Sequence, residues 1–597
     1  MTIDYDKIRN VLDIFNTQVK KYGNKPYLWE KIEGKYRSYS WNEISEKVSK
    51  FSSSLLNQGI LAGDRVVIVS ENRPEWQIAD LAIMAIGAIT VPAYITSTTA
   101  DYKYIIEHSG ARLAIVSNNN LAEKVIPAIT ESKKCNTLIK IENDKDQYDK
   151  PLNILSWTKL VNENSNNPFD LHAAEQKLKL EDVACIIYTS GTGGNPKGVM
   201  LSHKAMITNC KGASIILKEI TSELNELRFL SWLPLSHSYE HTLQFFKMGS
   251  GGQIYYAEGI DKLLVNMSEA KPHIMTAVPR FYDSLHTRIS QGLKQQSKLS
   301  NIFFTETVRL GKKNYYGQKL SFFERITNNF LDKIVRKKVK KRFGGHLKAL
   351  VSGGSALNFE VGLFLSSLGL PLLQGFGQTE SGPVVSVNPP KKIKLDTVGP
   401  PLEGVQVNIA DDGEILVKGD NLMNGYWDDP SATAITIKNG WLHTGDIGQL
   451  DEDGYLKITD RKKDIIVNAG GDNISPSKIE EKINIEAEIS QSMIYGDYKN
   501  YMVAVIVPDF EYLKIWCSEN NKVFELKDLL KDEDFNNLIK SAINKANKKL
   551  SVIEQVRKFI IIDHSFSVEN EMMTPTMKVR RFAVKEKYKD SLEQLYK

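Results

Sequence analysis

Cysteine is scarce in this sequence. The four present, Cys135, Cys185, Cys210 and Cys517, are scattered, with no two in a C-x-x-C pair. That argues against a zinc site and against a disulfide framework, and it fits a reducing compartment. Long apolar runs are also missing. The one stretch that invites a membrane reading, Leu81 to Ile95, is short for a crossing and contains Gly87, Thr90 and Pro92. A buried helix running into a buried strand is expected there. The start, Met1-Thr2-Ile3-Asp4-Tyr5-Asp6-Lys7, has no basic segment leading into an apolar core, so no signal peptide is expected. Charge of one sign is not concentrated. The 77 basic and 72 acidic side chains give a formal net charge of +5, too mild to suggest a nucleic-acid partner. No internal repeat or low-complexity tract is visible. A cytoplasmic location is expected, with peripheral contact at a membrane as an option.

What is present is an ordinary globular composition. The 597 residues are 42% hydrophobic and 25% charged, enough for a large core and more than one domain. Tyr36 to Trp41 reads as a strand entering a helix at Asn42. Arg65 to Ser70 is a β-branched strand, and Pro74 starts a helix in the favoured early position. Val91 to Tyr94 and Leu113 to Val116 repeat the pattern. Strands alternating with helices imply parallel sheets covered on both faces, with ligands at the carboxyl ends of the strands. From Gly399 the style changes. Val405 to Ile409, Glu414 to Val417 and Tyr455 to Ile458 alternate between Asp-Gly turns and read as antiparallel structure. Asp460-Arg461-Lys462-Lys463-Asp464 then places five charges in a row, a candidate domain linker. Beyond it, Lys478 to Ile483 reads as helix and Met502 to Val507 as strand.

The chemistry is carried by loops. Ala184 to Ile187 reads as a buried strand, and it opens into Thr189-Ser190-Gly191-Thr192-Gly193-Gly194-Asn195-Pro196-Lys197-Gly198. Glycines bring backbone N–H groups close to an anion, hydroxyls add donors, and lysine adds a mobile cation. This is a phosphate cradle, but its spacing is not Walker A, because Pro196 precedes Lys197 and Gly198 follows it. Lys348 to Ala356 runs from a strand into Ser352-Gly353-Gly354-Ser355. Pro371 to Glu380 does the same through Gln374-Gly375-Phe376-Gly377-Gln378-Thr379-Glu380. There an aromatic is free to stack on a flat base, and a carboxylate could hold a hard cation. Leu230 to His241 ends an apolar run in a turn containing His237; a lone histidine is more often structural. Asp446, after Gly440-Trp441-Leu442-His443-Thr444-Gly445, could accept hydrogen bonds from a ribose diol. The segment 331–342 carries Lys333, Arg336, Lys337, Lys338, Lys340, Lys341 and Arg342 on a helical pattern. A solvated face is the ordinary reading of such a run; an anionic membrane surface or a phosphorylated substrate are the sharper ones.

Taken in order, Tyr188–Gly198, Leu233–His241, Ser352–Ala356, Gln374–Glu380, Gly440–Asp446, Asp460–Asp464 and Thr574–Lys578 resemble the motifs of the acyl-adenylate-forming superfamily. The resemblance runs from about Asn16 to Phe582, and the second, fifth and last motifs look most like long-chain fatty acyl-CoA synthetases. It implies an α/β fold. Residues 1–459 would form a large adenylation domain of stacked sheets plus a small β-barrel-like part, 460–464 a hinge, and 465–597 a small mobile α+β domain. It implies ATP, Mg2+ and coenzyme A, with a long-chain fatty acid as substrate. Thr189, Ser190, Gly191, Thr192 and Lys197 match the segment at the ATP phosphates. Gly354 and Ser355 match the loop at adenine. Phe376 matches the aromatic at the base, with Gln374, Gly375 and Gly377 in the same nucleotide segment. Thr379 matches an α-phosphate contact, and Glu380, with Thr189, the magnesium site. Asp446 and Arg461 match ribose contacts, and His237 the residue beside the acyl carboxylate. Lys463 matches the hinge and Lys578 the mobile catalytic lysine, while Gly470 and Gly471 match the approach to pantetheine. The sequence departs from the pattern at Asn439, where many relatives have Asp, and at Asp472 after the glycine pair.

The implied reaction joins the carboxylate to AMP with loss of pyrophosphate, then passes the acyl group to the CoA thiol. Two other readings stand beside it: an acyl-AMP ligase serving a carrier protein, and a catalytically silent nucleotide-binding or membrane scaffold. Chain-length preference and oligomeric state, a homodimer included, are not legible, and Trp232 is only suggestive as a gate of the acyl tunnel.

Overall fold

The structure is a computed structural model that describes residues 3–142, 152–163, 168–189, 195–222, 224, 226–294, 297–574 and 578–597. Two eight-stranded sheets form the body. One has the strand order Gly425–Tyr426, Lys197–Ser202, Val183–Thr189, Ile89–Pro92, Arg65–Val69, Leu113–Val116, Thr137–Lys140, Asn153–Ser156. The other runs Ser386–Val387, Leu372–Phe376, Ala349–Ser352, Ile274–Ala277, Arg228–Ser231, Gln253–Tyr256, Pro26–Ile32, Lys35–Ser40. Most interior pairings are parallel; antiparallel strands close both ends of the second sheet and the Gly425–Tyr426 end of the first, whose other end, Asn153–Ser156, pairs in parallel. Strands such as Leu113–Val116 and Ala349–Ser352 are buried at every position, as strands covered on both faces must be.

The two sheets share one core because the helices between them are apolar nearly all round. In Pro74–Ala85 every residue but Glu75 is buried. This is the helix that feeds the buried strand Ile89–Pro92, so the stretch 81–95 is interior; among the described residues no helix is long and apolar enough to cross a membrane. The helix Ser238–Gly249 is also sandwiched but carries buried charge. Glu240 pairs with Lys247 and accepts hydrogen bonds from Ser231 Oγ at 2.7 Å and Thr276 Oγ1 at 3.0 Å. His241 Nε2 meets Asp80 Oδ2 at 2.9 Å, with both side chains fully buried. These bonds tie a helix that begins at the cleft to the second sheet and to the helix Pro74–Ala85.

The antiparallel part expected after Gly399 is a five-stranded sheet of Gln406–Ile409, Glu414–Lys418, Trp441–Leu450, Ile437–Lys438 and Leu456–Arg461. Its hairpin at Asn439-Gly440 has positive φ at both residues, 52° and 77°. Asn and Gly tolerate that conformation best, which gives Asn439 a local reason independent of any ligand. The charged run 460–464 is divided. Asp460, buried, and Arg461 end the last strand, and only Lys462 to Asp464 form a turn, closed by Ile465 N–H on the Arg461 carbonyl at 3.1 Å. A smaller domain follows, in which Ile489–Tyr495, Met502–Pro508 and Val556–Ile561 form a sheet packed by helices Pro476–Ile483, Phe510–Glu519, Glu533–Asn547 and Arg581–Gln594.

The basic segment 331–342 is not a helix of its own. It is the end of a longer one made of Phe322–Leu331, a π-helical turn at Asp332–Arg336, and Lys337–Arg342. Arg336 faces inward, donating to the carbonyls of Ser367 at 2.7 Å and Thr307 at 3.1 Å, so one of the cations is structural.

Breaking the buried Glu240–Lys247 pair leaves an uncompensated ammonium, at a cost of about 3–5 kcal/mol. Glu240→Ala is therefore expected to lower the thermal unfolding midpoint by several degrees in calorimetry; an unchanged midpoint contradicts the assignment.

Candidate functional site

The carboxyl ends of the parallel strands open on one large cleft, about 2540 Å³, whose walls come from both domains. Strand Val183–Thr189 delivers Thr189 there, and Lys197 stands directly opposite it on the return strand. The chain thus enters and leaves the glycine segment on antiparallel strands, with a strand rather than a helix after Lys197. Ser190, Gly191 and Thr192 lie outside the described residues. Lys197 Nζ sits over the ring of Tyr426, 4.9 Å from its centroid. The Tyr426 hydroxyl in turn donates to Glu380 Oε1 at 2.9 Å. Tyr426 thus links the loop lysine to the carboxylate. Its own strand explains the placement, since it pairs with Val199 two residues beyond Lys197.

Glu380 sits in the single turn Thr379–Ser381 after strand Leu372–Phe376. Thr379 Oγ1 lies 3.0 Å from Ser238 Oγ, which joins this turn to the start of the sandwiched helix. Gly377 lies in a backbone crossing. A Cβ there would come within 1.9 Å of the Pro383 carbonyl oxygen, so only glycine fits. Gly354, Ser355, Gln374, Gly375 and Phe376 line the same cleft. Three buried polar atoms on its wall, Tyr239 Oη, Ser352 Oγ and Gln374 Oε1, have no hydrogen-bond partner among the described residues.

His237 caps the sandwiched helix, its Nδ1 accepting the Tyr239 N–H at 3.1 Å. Burial, aided by the Lys578 charge, lowers its pKa to about 4. At neutral pH the ring is uncharged, and with Nδ1 accepting, Nε2 carries the proton. His237 is thus a neutral donor on the cleft wall rather than a cation.

Asp446 and Arg461 are cross-strand partners, with Arg461 Nε 3.2 Å from Asp446 Oδ1. Burial raises the Asp446 pKa, and Arg461 and Lys578 oppose the rise. Lys578 comes from the small domain. Its loop is closed by two bonds to Thr574: Lys578 N–H donates to Oγ1 at 3.1 Å, and Thr574 N–H to the Lys578 carbonyl at 2.8 Å. The side chain remains open to the water of the cleft but is walled in by protein. Loss of hydration is the first cause lowering its pKa to about 8, followed by Arg461, with Asp446 and Glu380 opposing. Lys463 faces the same groups and is also held below the usual lysine range, first by desolvation and then by Arg461. Lysine, arginine and carboxylates from distant parts of the chain therefore meet at one place.

Gly470 and Gly471 do not join them. They sit at the exposed tip of the hairpin Ile466–Val467/Asn473–Ile474, outside the cleft. Asp472 closes that tip, accepting from Asn468 Nδ2 at 2.9 Å, a local turn role. Trp232 is held by its Nε1–H to the Thr276 carbonyl at 2.7 Å and is not among the residues that line the cleft.

Some cleft groups were not legible as site residues. Tyr426 is one, because a Gly-Tyr-Trp run carries no chemical signal of its own. Asp283 is another: burial and the neighbouring Glu481 of the small domain push its pKa up to about 6. No sequence spacing links these two. Among the described residues no group of three or more His, Cys, Asp or Glu could cage a metal. Glu380 can offer a single carboxylate, which suits magnesium only where phosphates supply further oxygens.

Comparisons with known proteins agree with this architecture. Residues 15–427 match the AMP-binding enzyme family and residues 463–597 the AMP-binding enzyme C-terminal domain. A Mycobacterium tuberculosis long-chain-fatty-acid–CoA ligase, FadD15, is 32% identical over 583 residues, covering 95% of this chain and 93% of the relative. Long chain acyl-CoA synthetase 3 of Arabidopsis thaliana is 29% identical, covering 99% of this chain and 92% of its own. The adenylation domain of a carboxylate reductase from Mycobacterium chelonae superposes with a TM-score of 0.76 at 19% identity, covering 98% of this chain and 91% of its own.

The lowered ammonium is directly measurable. Lysine acylation read by mass spectrometry across pH should give Lys578 a midpoint near 8; a midpoint in the ordinary lysine range, near 10.4, contradicts the crowded-cation environment.

Proposed function

This chain belongs to the AMP-binding enzyme family, and we propose that it joins a long-chain fatty acid to coenzyme A through a fatty acyl-AMP intermediate, releasing AMP and pyrophosphate. The observation that carries the reading is the meeting of Lys578 with Asp446, Arg461, Lys463 and Glu380 in one cleft at the carboxyl ends of the strands. The acid is taken from the printed names of relatives about 30% identical over nearly the whole chain.

The chemistry follows from the residues. A carboxylate is a poor acyl donor because its leaving group would be oxide. In the first step a carboxylate oxygen attacks the α-phosphorus of ATP, the bond to pyrophosphate breaks, and the carboxyl acquires AMP as leaving group. Such transfers depend on positioning and charge neutralisation. Lys578, still mostly protonated at neutral pH with a pKa of about 8, brings positive charge to the α-phosphate and the attacking carboxylate. Neutral His237 offers a hydrogen bond to the carboxylate without pairing with it too tightly. Lys197, held over Tyr426, is aimed at the departing pyrophosphate, with Thr189 and the loop that begins there. Asp446, with Arg461 beside it, accepts from the ribose diol, and Phe376 and the Gly354–Ser355 turn hold the base. Glu380 would hold magnesium, which supplies charge on the phosphates. In the second step the CoA thiolate attacks the acyl carbonyl and AMP leaves.

The second step wants the small domain elsewhere. Gly470 and Gly471 face solvent while Lys578 occupies the cleft. We place the pivot at the Lys462–Asp464 turn, where a rotation would exchange the two faces.

The direct test is an assay with palmitate, ATP and CoA, read by mass spectrometry for palmitoyl-CoA and AMP, then a panel of acid lengths. Acyl-AMP without thioester would point to a carrier protein as acceptor, and no product from any acid would point to a silent scaffold. Lys578→Ala should reduce acyl-AMP formation by about 10²–10³-fold, the usual loss for one preorganised charge donor, and largely spare thioester formation from supplied acyl-AMP. Equal loss of both half-reactions contradicts the division of labour.

A further inference from the structure

The strongest exposed feature outside the cleft lies on the helical pair Lys298–Tyr315 and Phe322–Arg342. Large apolar side chains there stand in water. Phe322 is 72% and Phe323 78% exposed, and Ile302, Phe303, Ile326 and Phe330 are exposed beside them. Phe303 and Phe330 meet edge to face across the two helices at 5.9 Å, so the patch is continuous. Phe322, Ile326, Phe330 and Ile334 recur every four residues, which puts them along one face of the helix. The same spacing continues as Lys338 and Arg342, with Lys333, Lys337 and Lys341 alongside. One helix face is thus apolar in its first half and cationic in its second.

The charge is not cancelled locally. Glu324 is taken by Arg309 and Lys313, and Asp332 by Arg336. Lys333, Lys337, Lys338, Lys340, Lys341 and Arg342 have no ion-pair partner among the described residues. The pair is also anchored. Arg336 is bonded to the Ser367 and Thr307 carbonyls, and Phe304 packs on Phe364. Phe364 lies in the helix Phe359–Ser367 that follows the cleft turn at Gly353.

We propose that this helical pair is a docking surface for an anionic lipid bilayer: the phenylalanines enter the interface and the lysines rest on the headgroups. An apolar face beside unpaired cations matches that environment on both counts. A soluble phosphorylated substrate would need the cations but would leave the phenylalanines unexplained. A second copy fits poorly too. A two-fold interface centred on the phenylalanines would cover the apolar half and leave the cations without a counter-charge, which a bilayer supplies. If the fatty-acid reading is right, the surface holds the cleft near a substrate that partitions into membranes. The proposal itself rests only on the surface and is tested without turnover.

The full chain is mixed with vesicles of phosphatidylcholine alone, or with phosphatidylglycerol added, and sedimented. The protein should pellet with the mixed vesicles and much less with phosphatidylcholine. Phe322→Ser with Phe323→Ser should reduce the bound fraction about tenfold. Lys333→Gln, Lys337→Gln and Lys341→Gln together should remove the preference for phosphatidylglycerol. Protein that stays in the supernatant with both vesicles overturns the proposal, as do variants that pellet like the parent. Conversion of a parent oligomer to monomer by the phenylalanine pair, in analytical ultracentrifugation, would assign the face to a second copy and overturn it as well. Thermal midpoints of the variants, expected at the parent's value, separate surface loss from misfolding, and the lysine variant stands alone if the phenylalanine pair misfolds.

Discussion

The structure turns on one crowded set of charges. Lys578, Arg461 and Lys463 face Asp446 and Glu380 in one protein-walled cleft, with Asp446 buried and the lysine side chains open to the cleft's water. Three cations against two carboxylates leave an excess of positive charge. Desolvation makes that excess costly, and the cost shows in the lowered pKa of Lys578 and Lys463. An anion placed there relieves it. A site built this way favours a phosphate, and most of all a phosphorus centre gaining charge during reaction.

Everything around the cluster serves to hold it. Asp446 and Arg461 are paired by strand register, which needs no side-chain adjustment. Glu380 is steadied by Tyr426, whose ring also steadies Lys197, so one aromatic side chain relates the phosphate loop to the carboxylate. The sandwiched helix from Ser238 is fixed by buried polar bonds to the second sheet and to the helix Pro74–Ala85; His237 caps it, and Ser238 meets Thr379. The group supplied from far away is Lys578. Arg581, three residues beyond it, pairs with Glu480 and faces Asp460 and Asp464 beside the turn, so the lysine's loop and the proposed pivot share a set of charges. The rotation proposed at that turn would thus move the lysine and the charges beside the turn together.

The sequence shows its loops better than their joinery. Ser352–Ser355, Gln374–Glu380 and Asp446 were legible because glycines, hydroxyls and carboxylates after apolar strands have few other uses, and their order added a family resemblance. The helix at Pro74 and the strands around it followed from burial patterns. The division of the run 460–464 was not legible. Five charges look like a linker, and only strand pairing with Trp441–Leu450 shows that Asp460 is buried and that Arg461 stands across from Asp446. Arg336 was indistinguishable from its neighbouring lysines until its carbonyl partners were visible. Tyr426 and the Asp283–Glu481 juxtaposition depend on contacts between residues far apart in the chain, which no local pattern encodes. Asn439 and Asp472 look like departures in sequence and turn out to be fitted to their turns.

The central claim is that the cluster activates a carboxylate by transferring AMP to it, before any thiol is involved. The most direct measurement is isotope exchange between labelled pyrophosphate and ATP in the presence of a long-chain fatty acid and the absence of CoA. The account predicts exchange that depends on the acid and needs no thiol. Absence of exchange with every acid, or release of ADP and phosphate in place of AMP and pyrophosphate, would contradict it.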